Sequence, residues 1–176
     1  MDRWSLATRL KFSAAAVAVL AGGVALAAAF GSPPPEPPAL AAGKECLAQA
    51  VYFEARGEPL AGQFAVASVV LNRVADRHYP DEICAVVFQG AHRRHACQFS
   101  FACDGKSDRA RPGRAWDRAV DVARQALDGF IPDQTGRATH YHAREVEPDW
   151  AGELSHTVSI GNHRFYHARR LAMRAP

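Results

Sequence analysis

The chain has 176 residues, 48% of them hydrophobic and 22% charged, and carries a formal net charge of +3. That length holds one domain with a real core rather than two, and the composition is that of an ordinary globular protein. So slight a charge argues against nucleic-acid binding: Arg93, Arg94, Arg109, Arg111 and Arg114 cluster loosely, without interleaved aromatics or a helical stripe.

Arg3, Arg9 and Lys11 precede an apolar run from Phe12 to Phe30. The run is long for a signal-peptide core and just long enough to span a bilayer. Positive charge ahead of it directs the chain start to the cytoplasm and the remainder outside. Small residues at Ala25–Ala29 and Ala39–Ala42 also suit cleavage by a signal peptidase. Residues 1–30 are therefore read as an inner-membrane anchor or a signal peptide, and the rest as exported to the periplasm. Gly31 to Pro38 is a proline-rich spacer of polyproline type. The expected organisation is a linker over 31–43, a folded domain over 44–168 and a tail over 169–176, without internal repeats.

Cys46 to Ala55 is predicted as the first helix, ended by Gly57. Pro59 suits the first turn of a second helix running to Val74. That helix is apolar almost all round (Phe64, Ala65, Val66, Ala67, Val69, Val70, Leu71), which belongs at the centre of a domain. Asn72, among apolar neighbours, is expected to bond to backbone. A short third helix is expected over Asp81–Phe88. Gln89 to Gly113 has little periodicity and reads as a long functional loop. Trp116, Ala119, Val120, Ala123, Ala126 and Leu127 then repeat at helical spacing, with Gly129 as the stop. Ala138–Ala143 reads as a strand, and Thr157–Ile160, Gly161-Asn162 and His163–Tyr166 as a hairpin with a two-residue turn. The fold class is α+β, helices first and a small antiparallel sheet after them.

Cys46, Cys84, Cys97 and Cys103 are an even number of cysteines in an oxidising compartment, which points to two disulfides. Three pairings exist. Cys97 with Cys103, closing a short loop, and Cys46 with Cys84, tying the first helix to a later segment, are favoured. A zinc site lacks the Cys-x-x-Cys pair it would need.

The segment Glu54-Ala55-Arg56-Gly57-Glu58 carries the chemistry. Val51, Ala50 and Leu47 lie three, four and seven positions before Glu54, the spacing of one helix face. A glutamate in register with an apolar stripe loses hydration, which raises its pKa and can keep it protonated near neutrality. That is the general acid needed to break a glycosidic bond. The competing reading is a solvated helix face, where Glu-x-x-x-Glu with an intervening Arg is common.

CLAQAVYFEARGEPLAGQFAVASVVLNRV at 46–74, YPDEICAVVFQ at 79–89, CQFSFACDG at 97–105, ATHYHA at 138–143 and TVSIGNHRFYH at 157–167 together resemble the SleB-type cell wall hydrolase family. The resemblance spans nearly all of Cys46 to His167. It implies a lysozyme-like fold and lytic transglycosylase activity on peptidoglycan, with Glu54, which opens the EARGE motif, as catalytic acid. Gln98, Phe99 and Ser100 match a family motif and are expected along the cleft. The family's separate wall-binding repeat domain has no counterpart in this sequence.

A transglycosylase needs one carboxyl group, whereas a muramidase-type hydrolase usually needs two, roughly 5 Å apart for retention or more than about 6.5 Å for inversion. Glu58 and Asp104 are the candidate second acids. For Glu58, a place near the positive end of the second helix is an equally good account. Arg56, Gln98, Ser100, Tyr141 and His142 are the candidate substrate-binding residues. A rival reading takes His140, His142, His156, His163 and His167 as the start of a zinc amidase site, although no His-Glu-x-x-His motif accompanies them. A second rival is a non-catalytic wall-binding domain. The favoured expectation is a monomeric glycan-strand enzyme with peptidoglycan as partner, the inner membrane as a further partner if the anchor is retained, and neither metal nor cofactor.

Overall fold

The computed structural model of the protein describes residues 36–92 and 97–168. The apolar run 12–30, most of the proline-rich spacer, Arg93, Arg94 and the whole tail over 169–176 lie outside these residues.

Helix α1 spans Pro38–Ala55. It begins well ahead of Cys46, so residues 38–43, expected as linker, are helical. Pro38 fits the first turn, where its missing N–H has no partner to lose, and Ala39, Leu40, Ala41 and Ala42 are strong helix formers. The buried residues of α1 include Leu47, Ala48, Ala50, Val51 and Tyr52.

Helix α2 spans Leu60–Val74 and is buried on nearly every side. Phe64, Ala67 and Val70 join the larger core with Leu47 and Val51, whereas Ala65 and Val69 pack on Ala138 and Phe165 at the sheet. An all-round apolar helix is the element that can serve two cores at once. Burying each of its valines contributes roughly 1.5–3 kcal/mol.

Helix α3 covers only Ile83–Val87, shorter than the expected 81–88. A disulfide from its Cys84 reaches Cys46 in α1, with Cα atoms 5.3 Å apart. Cys97 and Cys103 form the second bridge, around a 3-10 turn at Ser100–Cys103. Helix α4, Arg114–Leu127, buries Ala119, Val122 and Ala123.

Strands β1 (His140–Ala143), β2 (Ser155–Ile160) and β3 (His163–His167) form an antiparallel sheet in the order β1-β3-β2. β1 is shorter than the expected 138–143; ahead of it, Asn72 and Arg73 of α2 donate to the carbonyls of Ala138 and Thr139. The hairpin turns at Gly161, whose φ of 58° suits a residue without a Cβ.

Candidate active site

Glu54 lies on the last turn of α1, in register with Leu47, Ala50 and Val51, all of which are fully buried. Its own side chain is half-buried. Burial raises its carboxyl pKa, while a hydrogen bond from Tyr141 and the charge of Arg73 pull it back part of the way. The Tyr141 hydroxyl donates to Glu54 Oε2 at 3.1 Å. Burial and the neighbouring carboxylate push the Tyr141 pKa well above its ordinary value of 10.0, so the phenol keeps its proton and acts as a donor.

Tyr141 comes from β1, and Arg73 of α2 fixes the approach to that strand. Arg73 is 2% exposed and donates through Nε to the carbonyl of Thr139 at 2.7 Å. Its guanidinium lies over the rings of Phe99, 5.3 Å away, and Tyr79, 5.5 Å away. Among the described residues its Nη1 has no hydrogen-bond partner. A buried cation of this kind favours the charged form of a nearby carboxyl and so opposes the effect of burial on Glu54. The only sequence signal for Arg73 was its charge within a helix that has no polar face.

A cleft of about 780 Å³ opens beside Glu54. One wall is the end of α1, with Tyr52, Phe53 and Arg56; the other is the disulfide loop, with Ser100, Phe101 and Asp104. Phe53 stacks on Phe101 with centroids 4.7 Å apart, which ties the two walls together. Lys106, Arg109 and Arg111 continue the lining beyond the loop.

The structure thus brings Glu54, Arg56, Ser100, Asp104 and Tyr141 to one region. Gln98 is exposed beside the same loop but is not among the cleft-lining residues, and Phe99 is buried, as a core role requires. His142 is a correction to the expected substrate-binding set. Alternation along β1 turns it away from Tyr141, and it is buried with Nε2 2.9 Å from the Tyr166 hydroxyl. Glu58 is likewise turned from the cleft lining: its Oε2 accepts the backbone N–H of Asn162 at 2.8 Å, at the hairpin turn. Asp104 accepts from the backbone N–H of Lys106 at 2.8 Å and faces its ammonium at 3.5 Å.

Four of the five histidines of the amidase reading, His140, His142, His156 and His163, pack against aromatic rings. His140 and His142 both lie 5.5 Å from Trp150, and His156 lies 5.3 Å from Tyr166. Among the described residues, no group of three or more His, Cys, Asp or Glu side chains is arranged to hold a metal ion. Asn72 behaves as expected of a polar group within an apolar helix, donating to the carbonyl of Ala138 at 3.0 Å.

The fold is an α+β domain with a cleft beside a half-buried glutamate, and sequence comparison places it in a family. The chain belongs to the cell wall hydrolase family, whose model matches residues 57–166. It is 36% identical over 122 residues to the spore cortex-lytic enzyme of Halalkalibacterium halodurans, covering 69% of this chain and 33% of that protein. The spore cortex-lytic enzyme of Bacillus cereus is 33% identical over 122 residues, covering 69% of this chain and 42% of that protein. The chain thus spans well under half the length of these curated relatives. The crystal structure of the catalytic domain of the Bacillus cereus SleB protein superposes with a TM-score of 0.59 at 30% identity, covering 78% of this chain and 99% of that one. The catalytic domain of the germination-specific lytic transglycosylase SleB from Bacillus anthracis gives a TM-score of 0.59 at 30% identity, over 77% of this chain and 100% of that one. The lysozyme-like α+β architecture expected from the sequence is the fold of this chain.

Proposed function

We propose that the protein is a lytic transglycosylase that cleaves peptidoglycan strands between N-acetylmuramic acid and N-acetylglucosamine, with Glu54 as its catalytic acid. The supporting observation is the placement of Glu54: half-buried, lining a cleft of about 780 Å³, with Tyr141 as its hydrogen-bond donor. The likeness to relatives whose names specify cortex lysis and lytic transglycosylation supports the same reading.

In this reaction protonated Glu54 donates to the glycosidic oxygen as the bond to the muramic residue breaks. The resulting carboxylate then accepts the proton of that residue's own 6-hydroxyl, whose oxygen closes on the anomeric carbon to give a 1,6-anhydro end. No water enters the products. Proximity of the internal hydroxyl supplies much of the rate advantage. Tyr141 donates to one carboxyl oxygen throughout, holding the group in place and leaving the other oxygen for proton transfer. Arg56 and Ser100, which line the cleft, are the proposed contacts to the strand.

A muramidase-type hydrolase is the second reading, because Asp104 lines the same cleft as Glu54. Mass analysis of sacculi digested by the wild type, Glu54→Gln and Asp104→Asn tests both. Transglycosylation gives anhydro ends, abolished in Glu54→Gln and retained in Asp104→Asn. Reducing ends that disappear in both variants would assign hydrolysis instead.

We also propose export to the periplasm, with residues 12–30 serving as an inner-membrane anchor or a cleaved signal ahead of the linker and of the catalytic domain over 44–168. Among the described residues no helix is long and apolar enough to cross a membrane. The proposed catalytic unit acts as a monomer. Immunoblotting of membrane and soluble fractions, read for the size of the chain, separates an anchored from a processed form.

A further inference from the structure

Four cations line the cleft that contains Glu54: Arg56, Lys106, Arg109 and Arg111. Only Lys106 has an acidic partner, Asp104, at 3.5 Å. Among the described residues Arg56, Arg109 and Arg111 form no ion pair, and all three are exposed. The grouping of two of them is built rather than incidental. Tyr52, 7% exposed, carries the guanidinium of Arg56 over its ring face at 5.0 Å and accepts the backbone N–H of Arg111 at its hydroxyl, 3.4 Å away. One buried ring therefore touches both the side chain of Arg56, at the end of α1, and the backbone of Arg111, in the segment leading into α4. Exposed and without an ion pair among the described residues, these cations are open to an anionic ligand, and their place beside the acid makes the substrate the natural source.

We propose that Arg56, Arg109 and Arg111 form a carboxylate-binding subsite that selects glycan strands by the anionic groups on the muramic residue's lactyl side. This rests on the reading of the protein as a peptidoglycan-cleaving enzyme. A neutral sugar backbone offers arginine nothing to pair with. The lactyl side offers carboxylates from two sources: the stem peptide when it is attached, and the lactyl group itself when the stem has been removed. Arginine's planar fork takes either in a paired hydrogen-bonding geometry. Exposed arginines keep their hydration until the strand binds, so the subsite contributes to selection more than to raw affinity.

The test uses the full chain in detergent and solubilised glycan strands of four kinds: stem-bearing, stem-stripped, and each of these with its carboxylates converted to methylamides. New chain ends are counted by mass spectrometry, and cosedimentation with untreated and methylamidated sacculi is read separately. The wild type is expected to cleave untreated strands roughly tenfold faster at low substrate than their methylamides, the scale of two or three exposed ion pairs. The preference shrinks as salt rises. In the double variant Arg109→Gln/Arg111→Gln the ratio falls towards unity. A stronger preference among stem-bearing strands identifies the peptide carboxylates as the ligand, and a stronger preference among stripped strands identifies the lactyl carboxylate. A wild type indifferent to amidation, or a double variant that keeps the full ratio, overturns the subsite. A wild type that cleaves none of the four strands overturns the enzymatic reading itself. A charge preference that persists in cosedimentation would then still uphold the arginines as a carboxylate site, and its absence there would remove them too.

Discussion

Tyr141 and Glu54, 87 positions apart in sequence, meet through a hydrogen bond of 3.1 Å between phenol and carboxylate. The contact joins the end of α1 to β1 across the central helix, so the acid's environment depends on the sheet as well as on its own helix. Burial raises the Glu54 pKa, while Tyr141 and Arg73 limit the rise.

Glu54→Gln should reduce the release of chain ends by at least about a hundredfold, the scale of general acid catalysis. It should also stabilise the protein at neutral pH. A carboxyl whose folded pKa is raised above its unfolded value contributes stability below the unfolded value, and loses it as pH rises through the folded one. Thermal unfolding of wild type and variant should therefore coincide near pH 4 and diverge towards pH 7, with the variant higher. Equal melting temperatures at both pH values would show that Glu54 is not desolvated.

Tyr141→Phe and Arg73→Gln remove the two influences that lower the Glu54 pKa. With Glu54 as the proposed catalytic acid, activity should fall as pH rises through that pKa. Both variants should move the alkaline limb of the pH–rate profile to higher pH, with Tyr141→Phe losing roughly tenfold in maximum rate. Arg73→Lys keeps the charge and should leave the limb closer to the wild-type position. A damaged strand position alone would lower the rate without moving the limb.

Glu58 holds the β2–β3 turn to the corner between α1 and α2. Glu58→Gln retains an acceptor for the Asn162 N–H and should keep activity within about twofold, whereas a catalytic carboxylate would not tolerate the change. Gly161→Ala should cost about 1–3 kcal/mol in urea unfolding, because φ at that position is positive and a Cβ would meet the Glu58 carboxylate.

The two Nδ2 hydrogens of Asn72 are shared among Asp133, Thr135 and the Ala138 carbonyl, fixing the segment that leads into β1. Asn72→Ala should cost about 1–3 kcal/mol and lower activity through Tyr141. Burial works against ionisation of Asp133, but hydrogen bonds from Thr135, Arg137 and Asn72 outweigh it and depress its pKa. The stability gap between wild type and Asp133→Asn should thus be full above the ordinary aspartate value of 3.8 and close as pH falls through the depressed one.

The Cys46–Cys84 bridge closes a separation of 38 residues and ties α3 to the helix that carries Glu54. Replacing both cysteines by serine should cost about 4 kcal/mol by chain-entropy reasoning. Equilibrium unfolding under oxidising conditions measures it.

Local pattern was enough to mark Glu54, because helical periodicity fixes which residues share its face, and Leu47, Ala50 and Val51 are indeed buried beneath it. The same logic located α2, α4 and the hairpin, and cysteine spacing favoured the two bridges that the structure contains. It misjudged the start of α1, where alanines after a proline looked like the end of a linker. Tyr141 and His142 were both candidate substrate-binding residues, but strand alternation sends them to opposite faces, and His142 bonds to Tyr166 instead. Arg73 and the second attachment of Glu58 were beyond reach for a different reason. Both depend on contacts between segments far apart in the chain: α2 with the entrance to β1, and the α1–α2 corner with the hairpin turn. Periodicity reports which side of an element is buried, and only the packing of elements decides which distant group it is buried against.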